Sequence, residues 1–357
     1  MRVLLVDSET GWRGGQQQVL LLAQGLAKHP RFRGEAITVC RPGSRLADRL
    51  AAAGLMRAEL EMSSPWSPRA ICGLRRLARE RSADMLHAHT SHAHNLSVLA
   101  SIATSLHVVA TRRVAFAPKG AWKYRRCARV VAISHAIAGL LHAACVAPDR
   151  IDVIPSGIDP ARFTGADRTR GRQAFGIADD ELAVVCIAAL EGEKGIATLL
   201  ASWNTLAPAY QRAHLILVGD GSLRGTLTAQ AQSMPRVHFL GFRNDISDLL
   251  AAADIVTQPS LSEGLGTTVM DAMYAEKPVV ASRAGGLPEL IEDSVDGLLV
   301  SVGAAEPLAQ ALGRLLADDS LRVRLGTAAG ATARRRFLAR AMVDAYVDLY
   351  DRIMRGA

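Results

Sequence analysis

Residues 253–273, "ADIVTQPSLSEGLGTTVMDAM", decide how this chain is read. The stretch opens as a short β-branched run, passes through Glu263, Gly264 and Gly266, and ends in "TTVMDAM", a run of helical composition. A strand that feeds a helix through a glycine-bearing loop is the unit of a parallel α/β sheet, and it leaves amide N–H groups unpaired where the helix begins. Those amides suit an anion. A carboxylate beside them would be repelled by that anion, so Glu263 is better matched to neutral hydroxyls. Asp271 lies two turns further along, about 12 Å away by helical rise, and would reach a different part of one extended ligand. A nucleotide sugar, with its sugar, diphosphate, ribose and base in line, has that layout.

The same strand-then-helix rhythm runs outward in both directions. Before residue 155 come "VLLVD", "EAITVC", "DMLHAH", "HVVATRR", "RVVAIS" and "RIDVIP"; after it come "LAVVCIAAL", "HLILVGDG", "VHFLGF", "ADIVTQPS", "KPVVASRAGG" and "GLLV". Runs this apolar suit strands covered on both faces, and stretches of helical period separate them. The Gly-, Pro- and charge-rich segment at 155–172 breaks the series into two sets of six strands. The expected architecture is therefore α/β, two doubly wound Rossmann-like domains facing across a cleft, with ligand groups just beyond the strand ends. We place the domains at 1–163 and 164–340, with a closing helix at 341–357 packing back on the first.

Composition narrows the class. The chain has 357 residues, 49% hydrophobic and 21% charged, which fits packed soluble domains and excludes disorder. The opening residues lack a secretory apolar core, and no run approaches the roughly 18 apolar residues of a membrane span. A cytoplasmic protein is expected. Five widely spaced cysteines without a CxxC read as reduced thiols. The net charge of +8 is uneven: residues 1–165 carry +12 and the remainder −4. The first half thus faces something anionic, either nucleic acid or an acidic membrane surface. No nucleic-acid motif accompanies the charge, so a nucleic-acid partner is not expected.

Other segments carry candidate chemistry. Gly14 and Gly15 sit between the first strand and helix, where they allow either close approach of a diphosphate or simply a tight turn. His87, His89, His92 and His94 crowd one strand end, yet no Asp, Glu or Cys lies among them, so hydrogen bonding to an acceptor or sugar hydroxyl is expected in place of a metal. Arg112 and Arg113 close the "VVATRR" strand and can present a planar fork to phosphate or carboxylate, or form surface ion pairs. Lys194 in "LEGEKG" suits a phosphate as a point charge. The "RRR" at 334–336 is an anion site or a solvated helix face.

Together these motifs resemble the retaining glycosyltransferases of family 4, which have the two-domain B-type fold. Glu263 and Asp271 resemble their Glu-x7-Glu signature. "WRGGQQQVLLL", "ADMLHAHT", "VVAISHAIAGLL", "VIPSGIDPARF" and "LILVGDGSLR" are similar to further segments of that family along nearly the whole chain. The resemblance implies that Glu263 binds donor-sugar hydroxyls with the amides of Gly264, Leu265 and Gly266. Thr267, Thr268, Lys194 and Gly15 would hold the diphosphate, Phe242 and Arg243 would flank the base, and Asp271 would meet the ribose. Gly14, Gln16, His89 and Arg112 fall on the acceptor side. Three departures stand out. The second acid is an Asp, the Arg that the family has five positions before Lys194 is Ala189, and the family's catalytic-site His is replaced by Arg113, whose charge would compensate for Ala189.

The implied activity is metal-independent, retaining transfer without a cofactor, from a nucleotide-diphosphate sugar such as a UDP-, GDP- or ADP-sugar. Glu263, Lys194 and Arg113 would be the catalytic groups. The basic first domain suits a glycan or glycolipid acceptor, such as a lipopolysaccharide core, at the inner face of a membrane. "PWSPRAICGLRRLARERS" and "APKGAWKYRRCARV" would contact anionic headgroups. The alternatives are a B-fold nucleotide-sugar hydrolase or epimerase, and a catalytically weakened nucleotide-sugar binding homologue.

Overall fold

The computed structural model describes residues 1–118, 120 and 122–356. They form two compact units: Met1–Gly157 with Ala339–Ala357, and Ile158–Leu338. The first division falls six residues earlier than the expected 163/164. The turn Pro160–Phe163 belongs to the second unit because Arg162 pairs with Asp271 and the Phe163 ring packs on Tyr274 at 4.9 Å. The return falls at 338/339, where Ile158 bridges Leu338 and donates its N–H to Phe337.

The first unit holds β1 (Arg2–Val6), β2 (Glu35–Cys40), β3 (Arg57–Glu59), β4 (Met85–Ala88), β5 (His107–Arg112), β6 (Arg129–Ala132) and β7 (Ile151–Val153). They pair in parallel in the order β3-β2-β1-β4-β5-β6-β7. The six apolar runs appear as strands. The seventh, β3, was not expected: "RAE" is three residues long on the sheet edge and has no apolar alternation to announce it. Successive side chains of β1 take opposite faces. Val3 and Leu5 enter a core with helices Gly14–Lys28 and Ala339–Arg355, while Leu4 and Val6 enter one with Pro68–Glu80 and Ser91–Ser101. The sheet is thus covered on both sides.

The second unit holds β8 (Leu182–Ile187), β9 (Ala213–Val218), β10 (Val237–Gly241), β11 (Ile255–Gln258), β12 (Val279–Ser282) and β13 (Leu298–Val300), all parallel, in the order β10-β9-β8-β11-β12-β13. Val184, Leu215 and Ile255 join a core with helices Ile196–Leu206 and Ala305–Ala317. Val185, Ile216 and Val256, of opposite parity, are equally buried.

Strand order reverses at β1/β4 and at β8/β11, and ligands of open α/β sheets bind beyond the carboxyl ends at such points. Side-chain caps fill some helix starts and leave others bare. Ser44, Ser67, Thr90 and Asp318 each accept an N–H from the first turn of the helix they precede. Helix Thr267–Tyr274, just after β11, has Gly266 at its N-cap and therefore no side chain to fill its first amides.

Candidate functional site

In the second unit two loops are locked together beyond β8 and β11. Lys194 ends a single turn, Gly192–Lys194, after β8, and its Nζ donates to Glu263 Oε2 at 2.7 Å. The backbone repeats the link: Leu261 and Ser262 donate their N–H groups to the Glu193 carbonyl at 2.8 and 3.3 Å. Gly195, at φ +66°, lets the chain pass so close that a Cβ there would lie 2.1 Å from the Pro259 carbonyl oxygen.

Glu263 is positioned from several sides. Ser260 Oγ donates to the same Oε2 at 3.2 Å, and Gln258 Nε2 in turn donates to Ser260 Oγ at 2.8 Å. Ser282, at the end of β12, hydrogen-bonds the Ser260 carbonyl. Gly286 donates its N–H to the Glu263 carbonyl at 3.2 Å. Gly285 adopts φ +52°, with its missing Cβ only 1.8 Å from that oxygen. Ser260 and Gly285 were not among the expected site residues, since their roles arise only from the fit of β12 against the β11 loop.

The remaining second-unit candidates fall into two groups. Gly264, Leu265, Gly266, Thr267 and Thr268 occupy the loop and the helix start, with the Leu265 side chain buried so that only its backbone can serve a ligand. Gly266 holds φ +101° against Leu287. Phe242, after β10, is 57% exposed, and Arg243 beside it is clamped by both oxygens of Asp245 at 2.9 and 2.5 Å. Asp271 stands apart. Both of its oxygens accept from Arg162 Nη1, at 3.1 and 3.0 Å, and burial raises its carboxyl pKa although Arg162 pulls the other way. The acid expected at a ribose is thus engaged with the turn Pro160–Phe163, a partner 109 residues away that no local motif announces.

Within the first unit, the β1/β4 switch point gathers a second set. Register places Leu5 beside His87, and His87 beside Val109. Asp7, His89 and Thr111 lie one step of two further along on the same face, at or just beyond the strand ends, and Arg113 follows one step after Thr111. His87 and Thr111 are closed. His87 Nδ1 lies 2.6 Å from the Tyr350 hydroxyl and its Nε2 2.7 Å from Thr111 Oγ1, which meets the Tyr346 hydroxyl at 3.0 Å.

The groups around them are not all closed. Asp7 accepts from Glu9 N–H at 2.9 Å and from Gln16 Nε2 at 3.4 and 3.1 Å, and burial pushes its carboxyl up to about 6. His89 is 5% exposed and packs on the His87 ring at 4.0 Å, yet neither of its nitrogens has a hydrogen-bond partner among the described residues. Burial first, then His87 and Arg113, holds its pKa well below the ordinary histidine value. The buried Arg113 guanidinium feels Tyr346 and Asp7, while its Nε and Nη2 have no hydrogen-bond partner among the described residues.

Several first-unit expectations change. Gln16 turns inward to Asp7. Arg112, on the opposite parity to Arg113, ties down the segment after β5 through Tyr124 at 2.9 Å and the Phe116 carbonyl, which removes it from the acceptor-side set. The histidines diverge: His94 Nε2 meets Cys127 Sγ at 3.1 Å on another face. Gly14 and Gly15 open helix Gly14–Lys28, and a Cβ on Gly15 would lie 3.6 Å from Arg113 Cδ. In the "RRR" run, Arg334 pairs with Glu276 and Arg336 donates to the Glu289 carbonyl. These contacts describe a helix end and not an anion site.

Comparison with known proteins places the chain by sequence and fold. Residues 12–162 match the model of Glycosyltransferase Family 4, and residues 181–318 that of the Glycosyl transferases group 1. The lipopolysaccharide core biosynthesis glycosyltransferase LpsD of Rhizobium meliloti is 35% identical over 176 residues, 48% of this chain and 50% of its own. The N-acetyl-alpha-D-glucosaminyl L-malate synthase of Bacillus anthracis is 26% identical over 229 residues, 63% and 60% of the two chains. The chain spans about half the length of most of the curated relatives it matches. In fold it is similar to Anabaena HepE, solved with UDP and glucose, at TM-score 0.85 and 24% identity over 98% of this chain and 99% of that one. A Rickettsia africae glycosyltransferase gives 0.86 at 20% identity over 100% and 99%. With its two matched segments covering most of the sequence, the chain belongs to the family 4 glycosyltransferases.

Proposed function

We propose that this protein is a retaining glycosyltransferase that moves a sugar from a nucleotide diphosphate to a hydroxyl of a cell-envelope glycan or glycolipid. The carrying observation is the pair Lys194–Glu263 at the β8/β11 switch point, four residues before a helix whose first amides have no side-chain cap. Such a site can hold negative charge at one end and hydroxyls at the other. Lys194 and Glu263 already neutralise each other across 2.7 Å, so a donor entering between them gives the ammonium a phosphate and the carboxylate hydroxyl donors.

In this reading the bond from the anomeric carbon to the diphosphate breaks while the acceptor oxygen attaches on the same face. The electron pair leaves with the diphosphate, which takes the acceptor proton. Lys194 and the helix amides near Thr267 and Thr268 carry the charge that other transferases place on a cation, so no metal or cofactor is assigned a role. Glu263 orients the sugar. Support for the donor class comes from HepE, solved with UDP-glucose, and support for the acceptor class from LpsD and from WaaB, a lipopolysaccharide outer core galactosyltransferase. Other relatives are named for L-malate and D-inositol 3-phosphate, small molecules that carry both hydroxyls and negative charge.

We place the protein in the cytoplasm, peripheral on the inner face of a membrane. Among the described residues no helix is long and apolar enough to cross one. Trp66 and Trp122, both exposed, stack at 6.0 Å just before the basic helix Pro68–Glu80, and Phe116 is exposed as well, which suits an interfacial contact. Lys119 and Ala121 of that stretch lie outside the described residues. Flotation with anionic liposomes checks this point, and absence of binding argues for a soluble acceptor.

Calorimetric titration of UDP, GDP and ADP tests the donor site. One nucleotide should bind, and Lys194→Ala should weaken it about tenfold or more through loss of a charge-assisted contact. If none of the three binds, the transferase reading fails. Turnover of the sugar nucleotide without an acceptor would point to hydrolysis instead.

A further inference from the structure

We propose that His89 and Arg113 in the first unit form a recognition site for an oxyanion carried next to a hydroxyl, a carboxylate or phosphate group on the acceptor. The word acceptor rests on the transferase reading; the site itself does not. Its basis is a contrast between neighbouring groups on one sheet face. His87 and Thr111 are fully engaged with each other and with Tyr350 and Tyr346. Next along their own strands, His89 leaves both ring nitrogens and Arg113 leaves Nε and Nη2 without a partner among the described residues.

Buried polar atoms without partners are uncommon, since each costs about 1–3 kcal/mol in lost hydration. Four of them on two neighbouring side chains, at a strand-order reversal, mark a place where a ligand supplies what the fold does not. The atoms also specify that ligand. Nε and Nη2 are the two parallel donors of the side-on guanidinium fork, which fits the paired oxygens of a carboxylate or phosphate. The His89 ring, buried beside a guanidinium, is neutral and so presents one N–H donor and one acceptor nitrogen. The acceptor nitrogen needs a donor from the ligand. A diphosphate has none to give, whereas a hydroxyl adjacent to the anionic group has one. Tyr346 and Asp7 act on the Arg113 guanidinium electrostatically without occupying the fork, and the start of the first helix lies against its stem, a Cβ on Gly15 being 3.6 Å from Cδ. The suppressed basicity of His89 makes it a positioning residue that orients the hydroxyl, not a base that removes its proton.

Titration of the full chain with D-glycerate, glycerol 3-phosphate and neutral glycerol, with UDP, GDP and ADP measured in parallel, tests the assignment. At least one anionic probe should bind and glycerol should not. Arg113→Met should weaken the anionic probe by about 10- to 100-fold, the range for hydrogen bonds to a charged group. Arg113→Lys, which keeps the charge and loses the fork, should fall between, and His89→Phe should weaken glycerate more than it weakens inorganic sulfate, titrated alongside as an oxyanion with no hydroxyl. Nucleotide affinity should be the same in all three variants. If Arg113→Met binds the anionic probes as the wild type does, or no anionic probe binds the wild type, the site does not exist. A loss of nucleotide affinity in Arg113→Met instead assigns the fork to the donor's diphosphate and overturns the acceptor assignment. Failure of the transferase reading shows separately, as a wild type that binds no nucleotide.

Discussion

Asp271 and Glu263 occupy the two ends of one signature, and replacing each with alanine should separate stability from activity. Asp271 has a side chain 12% exposed and shares both oxygens with Arg162 Nη1, whose side chain is 30% exposed. An exposed pair contributes up to about 1 kcal/mol, whereas breaking a buried one costs about 3–5, so this half-buried pair sits near 2 kcal/mol. Asp271→Ala should therefore lower the unfolding midpoint of the second unit by about 4–8 °C, at roughly 2–4 °C per kcal/mol for a unit of this size. Asp271→Asn should stay within about 0.5 kcal/mol of wild type. Burial already disfavours the ionised carboxyl here, and a neutral oxygen still accepts from Arg162. Glu263→Ala should do the reverse: its midpoint should change little, while turnover should fall about 10²-fold or more with the loss of a group that orients the reacting sugar. Thermal melts by circular dichroism, with initial rates well below every midpoint, make the comparison. The reasoning is refuted if Asp271→Ala melts like wild type and loses nucleotide affinity tenfold, because Asp271 would then be a ligand contact and its ion pair with Arg162 incidental.

Two further perturbations probe the two switch points. Asp7 has its folded pKa raised to about 6 from 3.8, so between those values the folded chain holds its proton more tightly than the unfolded one and stability falls as pH rises. The loss totals about 3 kcal/mol. Asp7→Asn escapes it and should match wild type below pH 4 but exceed it above pH 6, as urea melts across that range would show; a difference independent of pH would contradict the account. Gly285→Ala places a Cβ where the Glu263 carbonyl oxygen stands, at a φ of +52°, and should cost about 1–3 kcal/mol in strain while weakening nucleotide binding through the displaced Glu263. Unchanged melting and titration curves would mean that the loop yields at no cost.

The sequence carries what depends on neighbours along the chain and not what depends on packing. Twelve strands were legible because parallel strands buried on both faces are near-continuous apolar runs, and β3 was not because an edge strand of "RAE" buries almost nothing. Gly266 was legible as an uncapped helix start, since a glycine at that position means bare amides wherever the helix ends up. "HAH", by contrast, offers His87 and His89 on equal terms. What separates them is Tyr350, which reaches His87 from 263 residues away while nothing comparable reaches His89. The same holds for the two arginines of "TRR". Parity sends Arg112 to Tyr124 and Arg113 toward Asp7, and only the packed first unit shows that Arg112 has both terminal nitrogens engaged while Arg113 leaves Nε and Nη2 without a partner. Unfilled hydrogen-bonding capacity is a property of three-dimensional packing alone. On a sheet face where His87 and Thr111 are satisfied atom by atom, its appearance at His89 and Arg113, where the strands run out, is the strongest sign that the fold stops short there for a ligand.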